Sequence, residues 1–181
     1  PEIVLCVGQA GGRSKITPEF VGINWAHARI PDNAGKQPFS QRIIDGAPDA
    51  YFATLPVNAM VAAMKQAEIP AAVSYTAGTY VCNDVMYQVL HALATRFPET
   101  RGTFLHVPFA TEQVVEKNAA GEKGAAGEKS AAGEKGHAAG EKFRPVPSMP
   151  LEMMTRGLQV ALEAALATDV DLADSESGTT C

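Results

Sequence analysis

Cys82 occupies a place in the chain where local sequence can make a thiol reactive. Residues 71–75 (AAVSY) form a short β-prone run, and Thr76-Ala77-Gly78-Thr79 turns it. A helical pattern follows, with Val85, Val89 and Leu93 on one face and Met86 and Leu90 beside them. Cys82 therefore falls in the first turn of a helix, where unpaired N–H groups and the helix dipole favour negative charge. Such positions raise the thiolate fraction of a cysteine, the form that attacks carbonyl carbon. The competing reading is an inert cysteine facing the core. Free cysteine is among the most buried residue types, and on this stretch alone the inert reading is the better one.

Length and composition bound the remaining choices. The 181 residues fit one domain, long enough to build a core without disulfide or metal staples. A hydrophobic fraction of 46% is ordinary for a globular protein. A net charge of −5 without a basic block argues against nucleic acid as a partner. Cys6, Cys82 and Cys181 make no CxxC pair and no metal-ligand spacing, which fits a reducing, cytoplasmic setting. No apolar run is long enough to span a membrane, and no signal-peptide pattern is visible.

The elements that must position the thiol alternate along the chain. Ile3-Val4-Leu5-Cys6-Val7-Gly8 reads as a strand buried on both faces, with almost nothing before it. A loop at 9–13 follows, and Phe20 to Trp25 reads as a second strand. Turn signals crowd residues 30–35. Asp49 to Ala67 reads as a helix that Pro56 either kinks or starts. Gly102 to Phe109 (GTFLHVPF) is a further strand, and Ser148 caps a final helix with Leu151, Met154, Leu158, Ala161, Leu162 and Ala165 along one stripe. Such alternation predicts a layered α/β domain.

Two segments stand apart. AAGEK begins at Ala119, Ala125, Ala131 and Ala138, with glycines that break any sustained helix and Glu balancing Lys. Residues 117–142 therefore read as a solvated surface insertion, a partner-docking loop being the less supported alternative because apolar anchors are scarce. The acidic tail 168–181 reads as disordered. The domain is thus predicted over residues 1–167, interrupted by the insertion.

Seven segments together resemble the pyroglutamyl peptidase I (pyrrolidone-carboxylate peptidase) family. They are VGQAGGR (7–13), ITPE (16–19), ARIPDNAGKQP (28–38), TLPVNAM (54–60), SYTAGTYVCN (74–83), FLHVPF (104–109) and PSMPLEMMTRGL (147–158). They occur in the family's order and cover nearly the whole chain outside the repeats and the tail. The resemblance implies a three-layer α/β/α sandwich around a mixed, mostly parallel sheet, and a cytosolic enzyme that removes N-terminal pyroglutamate from peptides through a Cys-His-Glu triad. It implies no cofactor and no metal, and self-association is common among such relatives.

Carried over residue by residue, the resemblance makes Cys82 the nucleophile, His106 of FLHVP the general base and Glu19 of ITPE the acidic member. Arg29 resembles an arginine near the oxyanion site. Ile30, Tyr80 and Val81 are expected in the wall of the pyroglutamate pocket, with Gln9 close by. Each has a plainer reading: a histidine in an apolar strand is often packed core, and Glu19 could be a loop carboxylate. His27, His91 and His137 match no base in the family pattern.

Two departures accompany the resemblance. The family begins with a strand-helix-strand segment that supplies another pocket wall, and the sequence is expected to start after it, as a fragment. The AAGEK repeats fall where relatives have a short connection. The expected activity is that of a cysteine-type omega-peptidase acting through a thioester acyl-enzyme. The alternatives are a catalytically impaired, truncated homologue acting as a binding or assembly subunit, and a thiol hydrolase of another small amide or ester.

Overall fold

An apolar run makes β1 (Ile3–Gln9), followed by β2 (Thr17–Pro18), β3 (Val21–Ile23) and β4 (Ala50–Phe52). Then come α1 (Val57–Gln66), α2 (Val81–Arg96), β5 (Arg101–Val107), β6 (Phe109–Ala110), α3 (Thr111–Ala119), β7 (Ser148–Met149) and α4 (Leu151–Ala167). This computed structural model describes residues 1–119 and 146–173.

The central sheet has the order β1-β5-β2. β1 runs parallel to β5 from Ile3↔Arg101 to Gln9↔Val107, and β2 pairs antiparallel on the other side through Thr17↔His106. Residues 71–74 continue the sheet beyond β2, through the parallel bridges Ile16↔Ala71 and Glu19↔Ser74. The predicted strand at AAVSY is therefore present as this limited pairing.

Period-two alternation sorts the side chains of β1 and β5 onto two faces. Ile3, Leu5, Leu105 and Val107 pack with Met60 and Met64 of α1 and Met154 and Ala161 of α4. Val4, Cys6 and Phe104 face Met86, Leu90 and Leu93 of α2. Helices thus cover both faces of a mixed sheet, the α/β/α class that the alternation of elements predicts. Gly157 lets α4 come down on the sheet, since a Cβ there would clash with Ile16 Cδ1.

Several local expectations need correction. The predicted helix at 49–67 divides: Ala50–Phe52 pairs with Val21–Ile23 as a β-ribbon, and the helix starts only at Val57. Pro56, lacking an N–H, serves at the helix start rather than as an internal kink. Ser148 belongs to β7 and Pro150 takes the N-cap of α4; Leu151 is exposed, and the buried stripe is Met154, Gly157, Ala161 and Ala165. On α2 the buried face is rotated toward Met86 and Tyr87, leaving Val85 outside, because the Tyr87 hydroxyl is drawn inward to donate to Pro48 O at 2.6 Å. β1 is half-buried rather than enclosed, since β5 is its one partner among the described residues.

The predicted repeat insertion and most of the tail lie outside the described residues, apart from 117–119 at the end of α3 and 168–173. Residues 169–173, predicted as disordered, are held. Asp171 accepts from the backbone N–H of Asn58 at 3.1 Å and of Ala59 at 2.9 Å, supplying the cap that Pro56 cannot. Replacement of Asp171 by Ala is expected to cost about 1 kcal/mol. A thermal melt should show it as a fall of roughly 2–4 °C in Tm.

Candidate active site

His106 is placed by the sheet register. On β5 it lies opposite Gly8 of β1 and Thr17 of β2, and its side chain shares the α2 face with Phe104. It is only 3% exposed. Its Nδ1 donates to Glu19 Oε1 at 2.6 Å, which leaves Nε2 as the ring nitrogen free to act on the thiol. Burial disfavours the imidazolium. Hydrogen bonds to Cys82 and Glu19, reinforced by their charges, outweigh that penalty, so His106 titrates above the ordinary histidine range.

Glu19 is fully buried. Its backbone is tied on both sides: its N–H donates to Phe104 O at 2.8 Å, Thr103 Oγ1 donates to its carbonyl at 2.7 Å, and the next N–H reaches Ser74 O at 2.7 Å. The carboxylate cannot swing away from β5. Arg13, in the loop after β1, donates to the same Oε1 at 2.7 Å.

Cys82 enters from the other direction, in the first turn of α2. The turn before it is clamped. Thr79 Oγ1 donates to His27 O at 3.0 Å, and His27 N–H donates back to Thr79 O at 2.9 Å. Asn83, 1% exposed, accepts from Ile23 N–H at 2.9 Å and donates to Ile23 O and Trp25 O at 2.9 and 3.0 Å. Gly8 provides the floor, because a Cβ there would meet Phe104 Cζ at 2.6 Å and Cys82 Sγ at 3.4 Å.

The structure therefore brings Cys82, His106 and Glu19 together. Tyr80 precedes the thiol and its hydroxyl donates to Pro31 O at 3.2 Å, which sets Ile30 and Arg29 on the adjoining loop. Ile30 and Val81 are 60% and 47% exposed and Arg29 is also exposed, so these residues form an open rim. Gln9 is not brought to the thiol. It follows Gly8 by one residue, so alternation turns it to the opposite face, where its amide donates to Gln113 of α3 at 2.6 Å. A cavity of about 140 Å³ lies away from the triad, between α2 and β4, lined by Tyr51, Leu90, Leu93 and Thr100 among others.

Arg13 and Asn83 are structural partners of the site that sequence reasoning left without roles. Asn83 carried a usable signal, a polar residue directly after the thiol where a helix face turns inward. Arg13 had only a weaker one, a cation six positions before the carboxylate. Among the described residues no group of three or more His, Cys, Asp or Glu is arranged to hold a metal. No helix among them is long and apolar enough to cross a membrane.

A thiol at a helix N-terminus, an imidazole and a buried carboxylate on an α/β/α scaffold are equipped for acyl transfer through a thioester, the chemistry of cysteine hydrolases. The family model for pyroglutamyl peptidase matches residues 1–135. The pyrrolidone-carboxylate peptidase of Enterococcus faecalis is 43% identical over 180 residues, covering 99% of this chain and 72% of that protein. The pyrrolidone-carboxylate peptidase of Streptomyces coelicolor is 45% identical over 181 residues, covering 99% and 71%. The crystal structure of pyroglutamyl peptidase I from Bacillus amyloliquefaciens matches with a TM-score of 0.79 at 38% identity, over 97% of this chain and 70% of that one. The chain belongs to the pyroglutamyl peptidase family, and is by that membership a cysteine-type omega-peptidase.

Two outcomes follow from this geometry. Gly8→Ala should push Phe104 against the thiol, destabilise the fold by about 1–3 kcal/mol and slow alkylation of Cys82 by iodoacetamide. Because the folded His106 titrates above about 6.5, its contribution to stability is full below that pH and is lost as pH rises through the raised value. Tm should fall over that alkaline interval in the wild type, and His106→Asn should flatten the fall.

Proposed function

We propose that this chain hydrolyses the amide bond that follows an N-terminal pyroglutamate (5-oxoproline) in peptides. The observation that carries the reading is the buried Glu19 carboxylate bonded to His106 Nδ1, with the Cys82 sulfur over Gly8, the residue opposite His106 in the sheet. His106 takes the thiol proton and Cys82 Sγ attacks the scissile carbonyl carbon. The oxyanion develops beside the N–H groups at the start of α2, with Arg29 on the neighbouring loop as a further source of positive charge. The tetrahedral adduct collapses as His106 protonates the leaving amine, giving a thioester. Water, deprotonated by His106, then releases pyroglutamate and regenerates the thiol. Glu19 keeps Nδ1 protonated and stabilises the imidazolium throughout.

The lactam of pyroglutamate is neutral and compact, and a pocket wall of Ile30, Tyr80 and Val81 suits it. These side chains are exposed beside the nucleophile, which supports their use as the acyl-binding surface. The reading needs no cofactor. Action in the cytosol accords with the free thiols Cys6 and Cys82, and self-association follows from the family resemblance.

Release of a fluorogenic amine from a pyroglutamyl amide tests the reading. Cys82→Ala should abolish it, and Cys6→Ala should leave it largely intact. His106→Ala and Glu19→Gln should lower kcat by roughly 10²–10⁴-fold. Full activity in the Cys82 variant would sink the assignment.

A further inference from the structure

The buried carboxylate has a donor that the acyl-transfer scheme does not use. Arg13 Nη1 reaches Glu19 Oε1 at 2.7 Å, the same oxygen that accepts from His106 Nδ1 at 2.6 Å. The same guanidinium nitrogen also donates to Thr17 Oγ1, and Nη2 reaches Thr76 O at 3.4 Å. Thr76 opens the turn that leads into α2, where its hydroxyl accepts from Gly78 N–H at 3.1 Å. One planar cation thus spans the loop after β1, the carboxylate after β2 and the turn before the nucleophile.

The charge is needed where it sits. The Glu19 side chain has no exposure and its Oε2 is buried without a hydrogen-bond partner. An ionised carboxylate in such a place persists only if it is paired. The charged and titratable groups facing it are Arg13 from the loop, His106 from β5 and, beyond the imidazole, Cys82 from α2. His106 carries charge for only part of the catalytic cycle. Arg13 carries it always.

We infer that Arg13 is a positioning residue for the reaction. It supplies the permanent countercharge that lets Glu19 act on His106, and it locks that carboxylate to the turn bearing Cys82. Without it, the buried carboxylate loses its permanent countercharge and its tie to that turn, and becomes a weaker partner for the imidazolium. The inference rests on the Cys82–His106–Glu19 reading of the site.

The test is a double-mutant cycle in the whole protein, comparing Arg13→Met, Glu19→Gln and the combined variant. kcat and KM for a pyroglutamyl amide and the rate of Cys82 alkylation by iodoacetamide are measured between about pH 5 and 9. Arg13→Met is expected to lower kcat by about 10–100-fold with KM changed less than about twofold. The alkaline limb of kcat/KM should move to lower pH, and alkylation at mildly acidic pH should slow. Adding Arg13→Met to Glu19→Gln should cost almost nothing further. Arg13→Lys should restore the limb, because it returns the charge, but recover kcat only in part, because it lacks the fork. Effects that multiply with those of Glu19→Gln, or an alkaline limb left in place, would overturn the inference. If Arg13→Met does not fold, the same cycle run with Arg13→Lys decides through kcat. Activity retained by Cys82→Ala would remove the reading of the site itself, whereas an enzyme sensitive to Glu19→Gln and indifferent to Arg13 would remove only the role given to Arg13.

Discussion

A carboxylate with no exposure to water organises the centre of this molecule. Glu19 can be buried only because β5 holds its backbone, an imidazole and a guanidinium share its oxygen, and a threonine behind it satisfies its carbonyl. Those partners come from two distant parts of the chain, Arg13 from the loop after β1 and the others from β5. The charge therefore ties the loop after β1, the end of β2 and the middle of β5 into one arrangement. Unpaired, it would be expensive. Paired, it sets the orientation of His106 with little freedom left over.

The thiol reaches that arrangement by a second set of constraints. α2 begins without a side-chain cap of its own. Its first turn is held instead by the buried Asn83 amide and by the reciprocal bonds between Thr79 and His27. The sheet contributes by omission: Gly8 opposite His106 leaves room for both the Phe104 ring and the sulfur. Backbone register, a missing side chain and one buried amide locate the nucleophile against its base.

The parts of this that could be read from sequence share a physical character. The helix start at Cys82 is legible because turn residues and a 3.6-residue period flank it, β1 because it is an apolar run, and β5 because Gly102 and Pro108 bound a short stretch centred on Phe104 and Leu105. Only the resemblance points to Glu19 and His106; nothing local marks the two as partners, since their meeting depends on the long-range pairing of β2 with β5. The errors have the same origin. Tyr51 and Phe52 joined a predicted helix because their partner strand, Val21–Ile23, is far away in sequence. Asp171 looked like part of a loose acidic tail because its targets, two N–H groups on α1, lie more than a hundred residues earlier. Gln9 was expected by the pocket, and a one-residue step along a strand turns it to the other face.

The pairing of β1 with β5 also has a kinetic side. Ile3 and Arg101 are neighbours in the sheet although roughly a hundred residues apart in the chain, with α2 inside the crossover that joins them. Parallel pairing over such a span carries the entropy cost of closing a long loop, which slows its formation relative to local contacts. His106 lies at the C-terminal end of that pairing, opposite Gly8, and the room Gly8 leaves for the sulfur is in place only when the strands are in register. The floor beneath the thiol is therefore completed by a contact of long sequence separation, whereas Cys82 and His106 themselves sit on consecutive elements.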